Sequence, residues 1–283
     1  MSARSLHVAV PRTAAKSSAR RPQPVRSLVA RGLADRWRSV LAWGIGGGLM
    51  CAFTAGVYPS IQDSLGQALE GYPEGLKEAF SIGELSSVEE YLSAEAFGWI
   101  VPIAVSFFAI RSAVRSIAAA EEAGHLDALM SAPVSRRELV GATFITTAIS
   151  TVGVLALVAL LTWTSAAVFG AGLSTGLLLA GTANVWPFAM VFGALALVVT
   201  GLRPGPGVTT GVSGAVLVAM YVIDLVGKLA DPVEFLRHLS LFKYYGMAIR
   251  DGIDPLAFAG TTLGALLLAA LGAWLFDRRD LDG

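Results

Sequence analysis

Residues 176–200 read GLLLAGTANVWPFAMVFGALALVVT, a run without a single charged side chain. A bilayer core is crossed by about 20 apolar residues in α-helix, at 1.5 Å per residue. This stretch is long enough, and it shows no period-two alternation of the kind that marks a β-barrel strand. Five more runs are long and apolar enough: Ser39–Tyr58, Phe97–Ala118 (interrupted by Arg111 and Arg115 near its end), Leu139–Gly170, Val208–Gly227 (with Asp224 near its end) and Pro255–Phe276. The sequence therefore predicts an all-α polytopic membrane protein with six transmembrane helices. Composition agrees: 54% of the 283 residues are hydrophobic and 15% charged, where a soluble domain is nearer a quarter charged.

Net charge is zero, with 21 Lys+Arg against 21 Asp+Glu, so it carries no information about partners. The distribution of the basic residues does. Before the first run stand Arg4, Arg12, Lys16, Arg20, Arg21, Arg26, Arg31, Arg36 and Arg38. Arg111, Arg115, Arg136 and Arg137 flank the connection between runs two and three, Arg203 follows run four, and Arg278 and Arg279 follow run six. The alternate connections hold only Lys77, Lys228, Arg237, Lys243 and Arg250. By the positive-inside rule both termini are cytoplasmic. The organisation expected is a basic, disordered cytoplasmic tail over 1–38, a six-helix transmembrane domain over 39–276 and a short cytoplasmic C-terminus over 277–283. The tail has the Ser/Ala-rich, acid-poor composition of a transit peptide. A full-length span follows it without a small-x-small cleavage site, so we read it as a topology-fixing tail.

The segment from Pro59 to Gly98 carries Asp63, Glu70, Glu74, Glu78, Glu84, Glu89, Glu90 and Glu95 against Lys77 alone. Ile61, Leu65 and Leu69, then Tyr72, Leu76 and Phe80, recur at four-residue spacing and predict short amphipathic helices at the outer surface, either a lid or a solvated connector. Between runs five and six, Phe235, Leu236, Phe242, Tyr244 and Tyr245 fit an interfacial aromatic belt. Within the runs, Pro102 and Pro187 predict kinks. Asp224 reads as a carboxylate solvated near the interface, and Arg111 and Arg115 as side chains that snorkel to headgroups. Gly44 to Gly48 suits close helix packing.

The connection between runs two and three, AAEEAGHLDALMSAPVSRREL from Ala119 to Leu139, has a different pattern. Glu121 and Glu122 open a short helical segment, where negative charge suits the helix dipole. Leu126, Leu129 and Met130 form one apolar stripe, and Pro133 ends it. Ser135 with Glu138 three residues on is a capping box for the next helix. A helix this short needs a surface to pack on.

These residues resemble the loop of ABC-2 type transporter permease subunits, which runs Glu, Gly-Thr-Leu-Glu, Leu residues, a small residue, then Pro-(Val/Ile)-Ser-Arg. Glu122, Gly124, Leu126, Asp127, Leu129, Met130, Ser131, Pro133, Val134, Ser135 and Arg136 stand in register with it. His125 replaces the Thr and Asp127 the Glu. Tyr91-Leu92, Pro102 and Arg278-Arg279-Asp280-Leu281 extend the likeness along the chain. The resemblance implies the transmembrane permease subunit of an ATP-binding cassette exporter in a bacterial plasma membrane. Its coupling helix, built from Glu121, Glu122, Gly124, Leu126, Asp127, Leu129, Met130, Pro133, Ser135 and Arg136, would dock on a separate P-loop ATPase subunit. A second permease chain, identical or related, would complete the path among membrane lipids.

The chain lacks the Gly-x4-Gly-Lys-Ser/Thr string that cradles phosphates. ATP and Mg²⁺ are therefore expected on the partner, with no cofactor, catalytic residue, metal or nucleic acid on this chain. Cys51 is the one cysteine, which excludes an intramolecular disulfide. Two strings admit an alternative, an intramembrane serine hydrolase: Gly172-Leu173-Ser174-Thr175-Gly176 matches a nucleophile elbow, with Asp224 and His238 following in hydrolase order, and Ser213 sits in a Gly-Val-Ser-Gly string. An ATP-independent carrier or scaffold is a third reading.

Overall fold

The computed structural model describes residues 25–69, 87–122, 135–202 and 205–278. Among them the chain is helical, and six helices are long and apolar enough to cross a membrane. The elements are α1 (Val25–Leu69), α2 (Val88–Leu92), a π-helical turn (Ser93–Phe97), α3 (Ile100–Glu122), α4 (Arg136–Phe169), α5 (Thr175–Gly201), α6 (Pro206–Leu229), a 3₁₀ segment (Asp231–Leu239), α7 (Leu241–Tyr245), α8 (Ala248–Asp251) and α9 (Pro255–Asp277). The spans are α1, α3, α4, α5, α6 and α9.

Helix ends fall where the local chemistry stops or starts a helix. Ser135 caps α4, its Oγ accepting from Glu138 N at 3.2 Å while Ser135 N donates to Glu138 Oε2 at 2.8 Å; this is the capping box the sequence predicts. Gly170, left-handed at φ 68°, ends α4, and Ser174 caps α5. Proline opens α6 and α9 at Pro206 and Pro255, where a missing N–H costs nothing. Pro102 falls in the first turn of α3 for the same reason, so it starts that span rather than kinking its interior. Pro187 lies inside α5.

α1 is 45 residues long and outruns the apolar stretch Ser39–Tyr58 at both ends. Residues 25–38, grouped with the tail by composition, are helical. At the other end the helix continues through Pro59 to Leu69. The second amphipathic repeat, through Tyr72, Leu76 and Phe80, lies outside the described residues.

α5 is the hub. It packs against α3, α4, α6, α8 and α9, and 72% of its most apolar stretch is buried, against 11% for α9. Its Phe188, Met190, Phe192, Ala194 and Leu197 are fully enclosed. An uncharged sequence can sit at the centre of a bundle because its backbone is satisfied within the helix. The outward faces of α1, α6 and α9 carry Phe53, Val212, Leu256 and Leu267 exposed, as lipid-facing surfaces require.

The widest contact is α1 against α4. It depends on glycines: a Cβ on Gly44 would stand 2.6 Å from Leu157 Cδ1, and one on Gly48 would stand 2.6 Å from Leu161 Cδ1 and 3.1 Å from the Leu157 carbonyl. Ser165 Oγ donates to the Ala52 carbonyl across the seam at 2.5 Å. Small residues let helix backbones approach where lipid offers no hydrophobic drive. Gly46, on another face, meets nothing within 4 Å. Gly48→Leu is therefore expected to lower the unfolding midpoint in detergent by overpacking, at about 1–3 kcal/mol, while Gly46→Leu leaves it in place.

Candidate functional site

At one end of the bundle, the near end, α1 and α4 begin and α3 and α9 finish. Two side-chain ties hold these helices. Arg36 of α1 donates to the Ser112 carbonyl at 3.0 Å, to Ser116 Oγ on α3, and to Thr147 Oγ1 on α4 at 3.2 Å. Arg137, on the first turn of α4, pairs with Asp277 at the end of α9, at 2.8 Å. The connection between α3 and α4 hangs from this framework. Of the residues assigned to it from sequence, Glu121 and Glu122 end α3 and Ser135 and Arg136 begin α4. Gly124, Leu126, Asp127, Leu129, Met130 and Pro133 lie outside the described residues. Arg111 and Arg115 are exposed on α3. Arg36 was indistinguishable in sequence from the other arginines of the basic tail; only the pairing of α1 with α3 and α4 singles it out.

The far end is closed by the short elements. Phe242 and Tyr245 of α7 are buried rather than lying in an interfacial belt: both rings pack on Phe188 of α5, at 4.8 and 5.1 Å between centroids. Asn184 of α5 donates to the Tyr245 carbonyl at 2.6 Å, and the Tyr245 hydroxyl donates to the Phe97 carbonyl at 3.0 Å. Burial pushes that hydroxyl's pKa well up, so it stays a donor. A polar amide within a span needs a partner. Asn184 was the one signal in α5 that a backbone segment dips into the bundle beside it. Phe235 and Tyr244 stay exposed, as the belt predicts. Gly181 lets the segment in: a Cβ there would be 2.5 Å from Ile249 Cβ and 2.9 Å from its Cα. Gly181→Leu is expected to displace α8 and expose the peptide bond after Arg250 to trypsin, measured as faster limited proteolysis.

Asp224 near the end of α6 is only 3% exposed, which corrects its reading as a solvated carboxylate. It pairs with Lys228 at 3.0 Å and with Arg237 of the 3₁₀ segment at 3.2 Å. The Arg237 stem lies directly over Gly227. The acidic connector contributes as well: Glu89 of α2 accepts from Ser174 N at 2.8 Å and fixes the turn before α5.

The hydrolase constellation does not assemble. Ser174 is a helix cap, Asp224 is held by two cations, and His238 contacts the Phe235 carbonyl and Lys243 Nζ. Ser213 is fully buried on α6, about 24 Å along the helix from its far end at Leu229, beyond which His238 sits. Among the described residues no group of three His, Cys, Asp or Glu could hold a metal. The charged side chains of the spans lie toward their ends, except Arg111, which stands midway along α3 and is exposed. An apolar cavity of about 300 Å³ opens between α4 and α5, walled by Leu155, Leu179, Trp186 and Phe258.

Six long apolar helices among the described residues define a polytopic helical membrane protein. The family profile of the multidrug efflux system permease Rv1217c, C-terminal domain, matches residues 30–277, and the chain belongs to that permease family. This accords with the ABC-2 type likeness of the loop. No curated protein matches the chain.

Proposed function

We propose that this chain is the membrane-spanning subunit of an ATP-driven exporter of lipophilic small molecules, powered by a separate P-loop ATPase that binds ATP and Mg²⁺. The observation that carries the reading is the permease-family match over 30–277, taken with the 119–139 loop motif at the near end of the bundle. The basic residues that cluster at that end favour, by the positive-inside rule, its standing on the cytoplasmic face of a bacterial plasma membrane. A second permease chain would complete the path; the matched family describes one domain of its permease, which fits a unit that works beside another. The hub helix α5 carries no charge along its whole length, which favours apolar cargo, since a charged solute would find no partner on it.

The stripe Leu126, Leu129 and Met130 would seat in the ATPase, flanked by Glu122 and Arg136, with Glu121, Gly124, Asp127, Pro133 and Ser135 shaping the segment. ATP-driven closure of the ATPase pair would move it. Because α3 is tied to α1 through Arg36 and α4 to α9 through Arg137, four of the six spans would share that displacement.

Inside-out membrane vesicles from cells producing the chain with its ATPase test this. ATP is expected to drive accumulation of a lipophilic fluorescent dye, and a non-hydrolysable analogue is not. Equal accumulation with the analogue would overturn the ATP-driven reading.

A further inference from the structure

The neighbours of α3 cover it almost throughout. From Ile100 to Ile117 its exposed side chains are Arg111 and Arg115. The outward faces of α1, α6 and α9 are of the opposite kind and expose Phe53, Val212 and Leu267. Over this stretch α3 presents no exposed apolar side chain, so its opening is not a lipid-facing surface.

The two arginines are one turn, about 6 Å, apart on one face of the helix. Their depth follows from contacts with α5 and α6. A Cβ on Gly193 of α5 would stand 3.3 Å from Ala109 Cβ, and one on Gly214 of α6 would stand 2.9 Å from the Phe107 ring. Counted from those contacts at 1.5 Å per residue, α5 and α6 run on past Arg111 toward the near end by about 9 and 6 Å. Arg111 is therefore recessed among the spans. Its direct way out is occupied: Arg115 stands one turn nearer the end, and like charges at that spacing repel. Among the described residues neither guanidinium has a carboxylate partner; the ion pairs lie elsewhere. A charge at this depth calls for a partner of opposite sign.

We propose that Arg111 and Arg115 together bind the acidic group of the transported molecule, a carboxylate, sulfonate or phosphate on a lipophilic body. This rests on the transport reading above and narrows its cargo to lipophilic anions. Two guanidinium forks can share the oxygens of one such group, which relieves their repulsion. α3 continues from Arg115 to Glu122 and into the 119–139 loop. The helix that holds the anion is thus the one an ATPase docked on that loop would move.

Binding of a lipophilic oxonol anion to the full chain in phosphatidylcholine nanodiscs tests the site without the ATPase. Saturable binding is expected, weakened about tenfold by Arg111→Gln or Arg115→Gln, the weight of one charge-assisted contact. Arg111→Lys should restore part of it. Arg278→Gln, which removes an exposed charge at the same end of the bundle, should leave it unchanged. Tetramethylrhodamine ethyl ester, a lipophilic cation, should bind more weakly than the oxonol. Oxonol binding indifferent to both Gln variants, an equal loss in Arg278→Gln, or cation binding as tight as the anion's would overturn the proposal. So would abolition of oxonol binding by phosphatidylglycerol in the nanodisc, since the pair would then belong to a lipid headgroup. In vesicles with the ATPase, Arg111→Gln should slow ATP-driven oxonol uptake about tenfold; unchanged uptake would overturn the proposal alone. Wild-type vesicles in which ATP moves neither dye would overturn the transport reading, while the nanodisc measurement still decides the anion site.

Discussion

Leu129→Asp is expected to abolish ATP-driven dye accumulation while the chain still inserts and purifies as a folded bundle. Leu129 is the middle of the apolar stripe in the 119–139 segment. An isolated carboxylate pressed into an apolar contact costs several kcal/mol or forces the contact apart. At 1.4 kcal/mol per factor of ten, binding of the partner would fall by more than about a hundredfold. The seam of α1 and α4 and the α5 hub are built from other residues, so the bundle is expected to keep its fold. Vesicle transport and size-exclusion profiles, measured side by side, separate the two effects. Wild-type transport in a stable Leu129→Asp chain would contradict the role given to the stripe. Leu129→Met, which keeps the volume and the apolar surface, should transport like the parent.

Asp224→Ala is expected to cause the largest loss of stability of any single charge change in the molecule. Asp224 bridges α6 to the 3₁₀ segment through Arg237 and also pairs with Lys228 one turn on in its own helix. Taking away one partner of a buried pair leaves unpaired charge and typically costs 3–5 kcal/mol. Lys228 and Arg237 keep 20% and 24% of their side-chain surface in contact with solvent, so about 3 kcal/mol, the lower limit, applies. The segment that follows, through Phe242 and Tyr245, should loosen from Phe188. A fall in the thermal unfolding midpoint, with faster proteolysis at Arg237 and Lys243, is the expected reading. Arg237→Ala should do less, since Lys228 still satisfies the carboxylate. A midpoint within error of wild type for Asp224→Ala would mean the pair is solvated in the membrane-bound protein.

The spans were legible because length and hydrophobicity alone determine whether a helix can cross a bilayer. Their ends were legible where Gly, Ser or Pro stop or start a helix, as at Gly170, Ser174, Pro206 and Pro255. The capping box at Ser135 and Glu138 was legible for the same local reason. Gly44 and Gly48 were readable as packing glycines, though not which helix they meet. The reach of α1 beyond its apolar core was not legible: residues 25–38 are too basic to resemble a span, yet form helix continuous with it. Nor was the dipping segment. Phe242 and Tyr245 lie in a five-residue helix, too short for periodicity to distinguish a belt from a plug. Their destination is set by Asn184 and Gly181, some 60 residues earlier. Asp224 misled because depth along a helix says nothing about what covers it laterally. The loop residues from Gly124 to Pro133 carry their argument through pattern and position between two helices.

The most direct measurement is a mild-detergent pull-down of the tagged chain from its native host, with mass spectrometry of what is bound. A near-stoichiometric P-loop ATPase, lost on Leu129→Asp but kept in Asp224→Ala, is the predicted result. Recovery of the chain alone, from membranes in which such an ATPase is abundant, would contradict the account and favour a carrier that works without ATP.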